Sequence, residues 1–191
     1  MNCNPSTKGH LALITYAASR CSLLHIFVVE EDRSLFPFEV RMRLVKEGTA
    51  HLPNVKIHPS GPYMISSATF PTYFLKKGED AARIQSELDI TLFASRIAPL
   101  FHITKRFAGE EPLDPVTRDY NEAMIRLLPQ YSISFIKIAR TTAETPEGKP
   151  EVISASRVRK LLVETGVTEE VLQLVPPCTA QYLKNEFGAR P

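Results

Sequence analysis

Two short runs carry the side chains best suited to chemistry. The first is Asn2-Cys3-Asn4-Pro5-Ser6-Thr7-Lys8-Gly9-His10, polar and punctuated by Pro and Gly, and it runs straight into the apolar residues Leu11, Ala12, Leu13 and Ile14. A loop that opens a helix in this way gathers unsatisfied backbone N–H groups and the positive end of the helix dipole at one point, which makes a place for an anion. Lys8 and His10 add donors where a helix start serving stability alone would favour Asp or Glu. The second run is Ile153-Ser154-Ala155-Ser156-Arg157-Val158-Arg159-Lys160. Ser154 is a good N-cap residue, able to accept an orphan N–H. Arg157, Arg159 and Lys160 follow it with no acidic residue before Glu164. Exposed cations at a helix N-terminus are disfavoured by roughly 0.3–1 kcal/mol each. A polyanion seated there reverses that sign; a solvated basic face screened by salt is the competing reading. Val158, Leu161 and Leu162 form the buried stripe, which turns the three cations outward.

Whole-chain properties narrow the setting. The chain has 191 residues, 43% hydrophobic and 23% charged, the composition of a globular domain. A formal net charge of +2 implies neither nucleic acid nor an anionic membrane as a bulk partner. No apolar run reaches the ~18 residues of a membrane span, and no basic-then-apolar leader opens the chain. The expectation is a cytoplasmic protein. Cys3, Cys21 and Cys178 are too scattered for a disulfide framework or a zinc knuckle. His10, His25, His51, His58 and His102 show no metal-ligand spacing, so no protein-held metal is expected. His25 lies inside an apolar run and reads as a core histidine.

The elements that must position the two runs follow from periodicity. Helices are expected from 9 to about 20, 38 to about 52, 89 to 101, 116 to 128 and 157 to 164, with a polar, helix-like stretch at 79–86. Short strands are expected at 23–29, 55–58, 104–109 and 132–138. The tail from 168 to 191 should hold one or two short helices broken at Pro176-Pro177. Strands alternating with helices imply βαβ units around a parallel sheet with helices on both faces, and ligands in such sheets sit beyond the carboxyl ends of the strands. The chain reads as one domain over 1–191. The opening loop should follow a first strand of about five residues, so that strand reads as truncated.

Thr7-Lys8-Gly9-His10 resembles the (H/T)-x-G-H signature of nucleotidyltransferases that react at the α-phosphate of a nucleoside triphosphate, and 153–159 resembles their second, serine-rich motif. Together with Leu35-Phe36-Pro37-Phe38-Glu39-Val40-Arg41, the run from Tyr63 to Leu75, and Ile103-Thr104-Lys105-Arg106-Phe107-Ala108-Gly109-Glu110-Glu111-Pro112, the chain is similar to the catalytic domain of the citrate lyase ligase family from residue 1 to about 182. The resemblance implies a Rossmann-like fold of the nucleotidyltransferase type, with an acetyltransferase-like domain upstream in most relatives.

The resemblance further implies ATP as substrate, with Mg²⁺ on the triphosphate held mainly by phosphates and water. Acetate would be activated as acetyl-adenylate with release of pyrophosphate. The acetyl group would pass to the prosthetic-group thiol of the acyl carrier subunit of citrate lyase. His10, Thr7 and Arg159 would be the catalytic residues, with His10 on the α/β-phosphate oxygens. Asn4, Lys8 and the Gly9 backbone would complete the cradle, and Ser154, Ser156 and Arg159, with Arg157 beside them, would hold the β- and γ-phosphates and stabilise departing pyrophosphate. Gly109 and Glu110 follow a strand where ribose or adenine is commonly read; a charged, solvated turn is the equal alternative. Arg106 either approaches a phosphate or pairs with a nearby acid. Two other readings stay open: an adenylyltransferase with a phosphorylated acceptor, pantetheine-phosphate or nicotinamide mononucleotide, and a non-catalytic nucleotide-binding module.

Overall fold

The structure, a computed structural model, describes residues 1–30, 34–61, 81–110, 115–144 and 150–188. It divides into two compact units, the first formed by 1–60 with 140–191 and the second by 61–139. The run at 63–75, Glu111 and Pro112 lie outside the described residues.

In the first unit, α1 (Lys8–Ala18) precedes β1 (Leu24–Val28), α2 (Phe38–Thr49) and β2 (Val55–Pro59). The strands pair in parallel, with Leu24 beside Val55 and Val28 beside Pro59, and α2 makes the crossover between them. Alternation puts Ile26 and Val28 on the face that packs against Ile14 of α1 and Met42 and Val45 of α2. Met1 lies along the other edge of β1. Its amine donates to the Phe27 carbonyl at 2.5 Å and its own carbonyl accepts from Val29 N–H at 3.0 Å, the two-bond pattern of parallel pairing.

The later part of this unit holds a hairpin, β5 (Thr142–Glu144) with β6 (Pro150–Val152), then α6 (Ala155–Thr165), α7 (Glu169–Gln173) and α8 (Pro177–Phe187). The sequence reading has a plain loop where the hairpin stands; three-residue strands flanking Pro146 and Gly148 show no periodicity to read. Phe36, fully buried, packs its ring against Tyr182 and Phe187 of α8, and Ile153, Val158, Val171 and Leu183 share that core.

In the second unit, α3 (Ala81–Leu92) continues through a π-helical turn, Phe93–Ile97, into the short α4 (Ala98–Leu100). The helix anticipated from 89 thus begins earlier and absorbs the polar stretch before it. Nothing between Ser86 and Asp89 breaks a helix, and Glu87 ties Arg83 of its own helix and Arg126 further along the chain at 3.1 and 2.6 Å. Then come β3 (Lys105–Gly109), α5 (Pro115–Leu127), a 3₁₀ turn (Leu128–Tyr131) and β4 (Ser134–Ile138). β3 and β4 are parallel, a second βαβ unit, and Ile90, Phe93, Met124, Leu128 and Ile133 form its core. Among the described residues no helix is long and apolar enough to cross a membrane.

Candidate functional site

Thr7 is the N-cap of α1, in extended backbone, and its Oγ1 accepts from His10 N–H at 3.3 Å. In return Thr7 N–H donates to His10 Nδ1 at 3.1 Å, with Thr7 Oγ1 2.9 Å from the same nitrogen. This is a capping box in which His replaces the usual Glu or Gln. A backbone N–H can only donate, so Nδ1 is the acceptor and the ring proton sits on Nε2. Burial pushes the imidazole pKa down to about 4, helped by the positive charges of the N-terminal amine and Arg140. His10 is therefore a neutral ring at pH 7, presenting one N–H donor.

Two of the three first-turn donors of α1 are used: Lys8 N–H reaches the Leu174 carbonyl at 2.9 Å, and His10 N–H reaches Thr7. Among the described residues Gly9 N–H has no acceptor. The Lys8 side chain is exposed. Gly9 is also where the two runs meet: a Cβ built on it would lie 3.0 Å from the Ile153 carbonyl oxygen and 3.6 Å from Ile153 Cβ. A second tie joins them, Arg159 Nη1 donating to the Asn4 carbonyl at 2.5 Å while Nη2 donates to Ser156 Oγ at 3.1 Å. Ser154 caps α6, accepting from Arg157 N–H at 3.1 Å. Neither α1 nor α6 has an acidic residue in its first turn. An unused N–H, a neutral imidazole N–H and a guanidinium beside two unopposed helix dipoles suit a polyphosphate.

Several expected participants are otherwise engaged. Arg157 does not face a free cleft: Nη2 pairs with Glu170 at 2.8 Å and Nη1 lies 3.0 Å from Glu151, an ion pair without hydrogen-bond geometry. It ties α6 to β6 and α7, and the sequence reading, which saw only the cations of its own helix, could not see those acids. Asn4 is buried and its Oδ1 accepts from Phe36 N–H at 3.1 Å, so it shapes the loop from within. Gly109 and Glu110 belong to the second unit. There the Gly109 carbonyl accepts from Asn121 Nδ2 at 3.0 Å and Glu110 N–H from its side donates to Ile138 at 2.8 Å, with the exposed Glu110 carboxylate 3.8 Å from Lys137. Arg106 pairs with an acid: it donates to Tyr120 Oη at 2.7 Å, lies 3.9 Å from Asp89, and covers the Phe93 ring at 4.3 Å. Tyr120 in turn donates to Asp89, and burial raises its phenol pKa.

Sequence reasoning missed two residues of the first unit. Arg41, fully buried, donates to the carbonyls of Phe36, Asn2 and Val29 at 3.0, 2.8 and 2.8 Å and to Asn2 Oδ1 at 2.9 Å, pinning the loop that leads to Thr7. Its place in an amphipathic helix gave no signal. Arg140, whose charge acts on His10, follows the carboxyl end of β4 and was legible there by the strand-end rule. No group of three or more His, Cys, Asp or Glu among the described residues is placed to hold a metal ion.

Comparison with known proteins bears on this geometry. Residues 1–183 match the family described as citrate lyase ligase C-terminal domain. The chain is 42% identical over 185 residues to "[Citrate [pro-3S]-lyase] ligase" of Escherichia coli K12, covering 97% of this chain and 52% of that protein. It is 43% identical over 187 residues to the protein of the same name from Klebsiella pneumoniae, covering 96% and 53%. The chain thus spans about half the length of these curated relatives. A more distant similarity, 27% over 166 residues, is to a phosphopantetheine adenylyltransferase of Proteus mirabilis, covering 83% of this chain and 91% of that enzyme.

Proposed function

We propose, from the premise that this chain belongs to the citrate lyase ligase family, that it binds ATP between the starts of α1 and α6 and activates acetate for the acetylation of citrate lyase. An acetate oxygen attacks the α-phosphorus, the bond to the bridging oxygen breaks, and pyrophosphate leaves. The thiolate of the carrier subunit's prosthetic group then attacks the acetyl carbon, and AMP leaves with its electron pair. The first step is an in-line displacement in which a protein chiefly positions groups and neutralises charge. His10 Nε2–H and Gly9 N–H donate to oxygens at the α/β bridge, where charge grows as the bond lengthens. Thr7 holds the imidazole in that tautomer. Arg159 and Lys8 face the β- and γ-phosphates, with the hydroxyl hydrogens of Ser154 and Ser156 turned the same way. Mg²⁺ on the triphosphate would be held mostly by phosphate oxygens and water, neutralising charge on the leaving group.

The observation that carries this reading is the close approach of Gly9 to Ile153, together with the Arg159–Asn4 bond, which bring together two helix starts that have no acidic residue in their first turns. The adenylyltransferase similarity favours a second reading, transfer of AMP to a phosphorylated acceptor, on the same residues. ATP–pyrophosphate exchange separates them. Exchange that requires acetate supports the first reading; exchange that requires phosphopantetheine and ignores acetate replaces it with the second. ATP binding with no exchange under either condition leaves a nucleotide-binding module and refutes both.

A further inference from the structure

The half-exposed face of the β1–β2 pair carries a feature the nucleotide site does not use. The register sets His25 beside Lys56 and Phe27 beside His58, so these four residues share the face opposite the one packed on α1 and α2. His25 and His58 are diagonal neighbours, and their rings stack with centroids 5.2 Å apart and planes inclined by 27°. His25 Nδ1 lies 3.0 Å from His58 Nε2. Behind them the Phe27 ring stacks on His58, also at 5.2 Å, and walls one side of the pair.

We propose that His25 and His58 form a bidentate site for a borderline divalent transition-metal cation such as Zn²⁺, Ni²⁺ or Cu²⁺. Two nitrogens each ~2.0–2.1 Å from one cation, at the angles of a tetrahedral or square arrangement, are separated by about 2.9–3.4 Å. The observed 3.0 Å falls in that interval, so small ring rotations, with the proton between the two nitrogens moved to the far nitrogen of its own ring, convert the contact into a chelate. Imidazole pairs select this class of cation over Mg²⁺ and Ca²⁺, which prefer oxygen, so the site does not compete with the nucleotide for magnesium. Burial lowers both imidazole pKa values, with the Lys56 charge adding at each ring and His58 adding at His25. Lys56 is exposed. Among the described residues no group of three or more His, Cys, Asp or Glu is placed to hold a metal ion, so the two imidazoles are the ligands proposed. A bound cation would staple β1 to β2 across the sheet.

The test uses the whole chain with Cys21→Ser and Cys178→Ser as background, which removes the two half-buried thiols. Zn²⁺, Ni²⁺ and Mg²⁺ are titrated in turn, with binding read by competition against a chromophoric chelator and stability read by thermal unfolding. The expected result is one equivalent of Zn²⁺ or Ni²⁺ bound, a raised Tm, and no response to Mg²⁺. His25→Gln and His58→Phe should each weaken binding at least tenfold and abolish the Tm increase; the second keeps a ring on Phe27, so its fold is preserved. Unchanged Zn²⁺ affinity in either variant, or no stoichiometric binding to the parent protein, would overturn the proposal.

Discussion

The neutral state of His10 has a measurable consequence for stability. The folded-state pKa stands at about 4, while the same imidazole in the unfolded chain titrates near its ordinary 6.5. Between those values the unfolded chain binds the proton and the folded chain does not, so stability rises with pH across that window. The contribution is fully present above 6.5, declines as pH falls toward 4, and is gone below it. A shift of that size corresponds to about 3 kcal/mol at one proton per site. Because His10 keeps partial solvent access, that figure is a ceiling, and we expect roughly 1–2 kcal/mol. The comparison is with His10→Gln, whose side-chain oxygen still accepts the Thr7 N–H but does not titrate. Urea unfolding of both proteins at pH 5 and pH 7 should show the wild type losing the additional ~1–2 kcal/mol, and thermal unfolding an excess Tm decrease of several degrees on the scale of about 2–4 °C per kcal/mol for a chain of this size. Contributions from His25 and His58 cancel, being present in both proteins. Direct titration of the His10 ring by NMR gives the microscopic answer. Equal pH slopes in the two proteins, or a His10 pKa at or above 6.5, would refute the capping-box assignment and with it the Nε2–H donor.

Other perturbations have equally definite outcomes. Gly9→Ala puts a methyl group 3.0 Å from the Ile153 carbonyl, and the fixed backbone there must yield; weaker ATP binding by calorimetry and a lowered Tm are expected together. Ser154→Ala removes the cap of α6 and should lower stability by about 1 kcal/mol in denaturant unfolding. Arg159→Lys loses the fork that reaches both Asn4 and Ser156; pyrophosphate exchange should fall at least tenfold while the urea midpoint moves little. Cys3 is buried, with its thiol pushed up to about 11, so it should react with a disulfide reagent long after Cys21 and Cys178, a sequence that stepwise alkylation and mass analysis would resolve.

The parts of this protein legible in its sequence are those governed by neighbours along the chain. Thr7 and Ser154 announce helix starts because capping is a matter of three or four residues, and the strands at Leu24–Val28 and Val55–Pro59 follow from short apolar runs between turn signals. The absence of acids after Thr7 and Ser154 was enough to raise an anion site at each. Family resemblance was legible for the same reason: its motifs are local strings.

Tertiary structure decided which donors remain for a ligand. Lys8 N–H is taken by Leu174, and Arg157 is held by Glu151 and Glu170, partners that no spacing rule connects. Arg41, an unremarkable cation on an amphipathic helix, is buried against the carbonyls of Asn2, Val29 and Phe36. His25, read as a core residue, is half-exposed and bonded to His58 because parallel register alone sets which residues of two strands share a face. A sequence determines the conformations that cost least locally, since those interactions close within a few residues. Which polar group meets which across the fold depends on how separate elements pack, and only the folded chain brings Gly9 to Ile153 and Asn4 to Arg159.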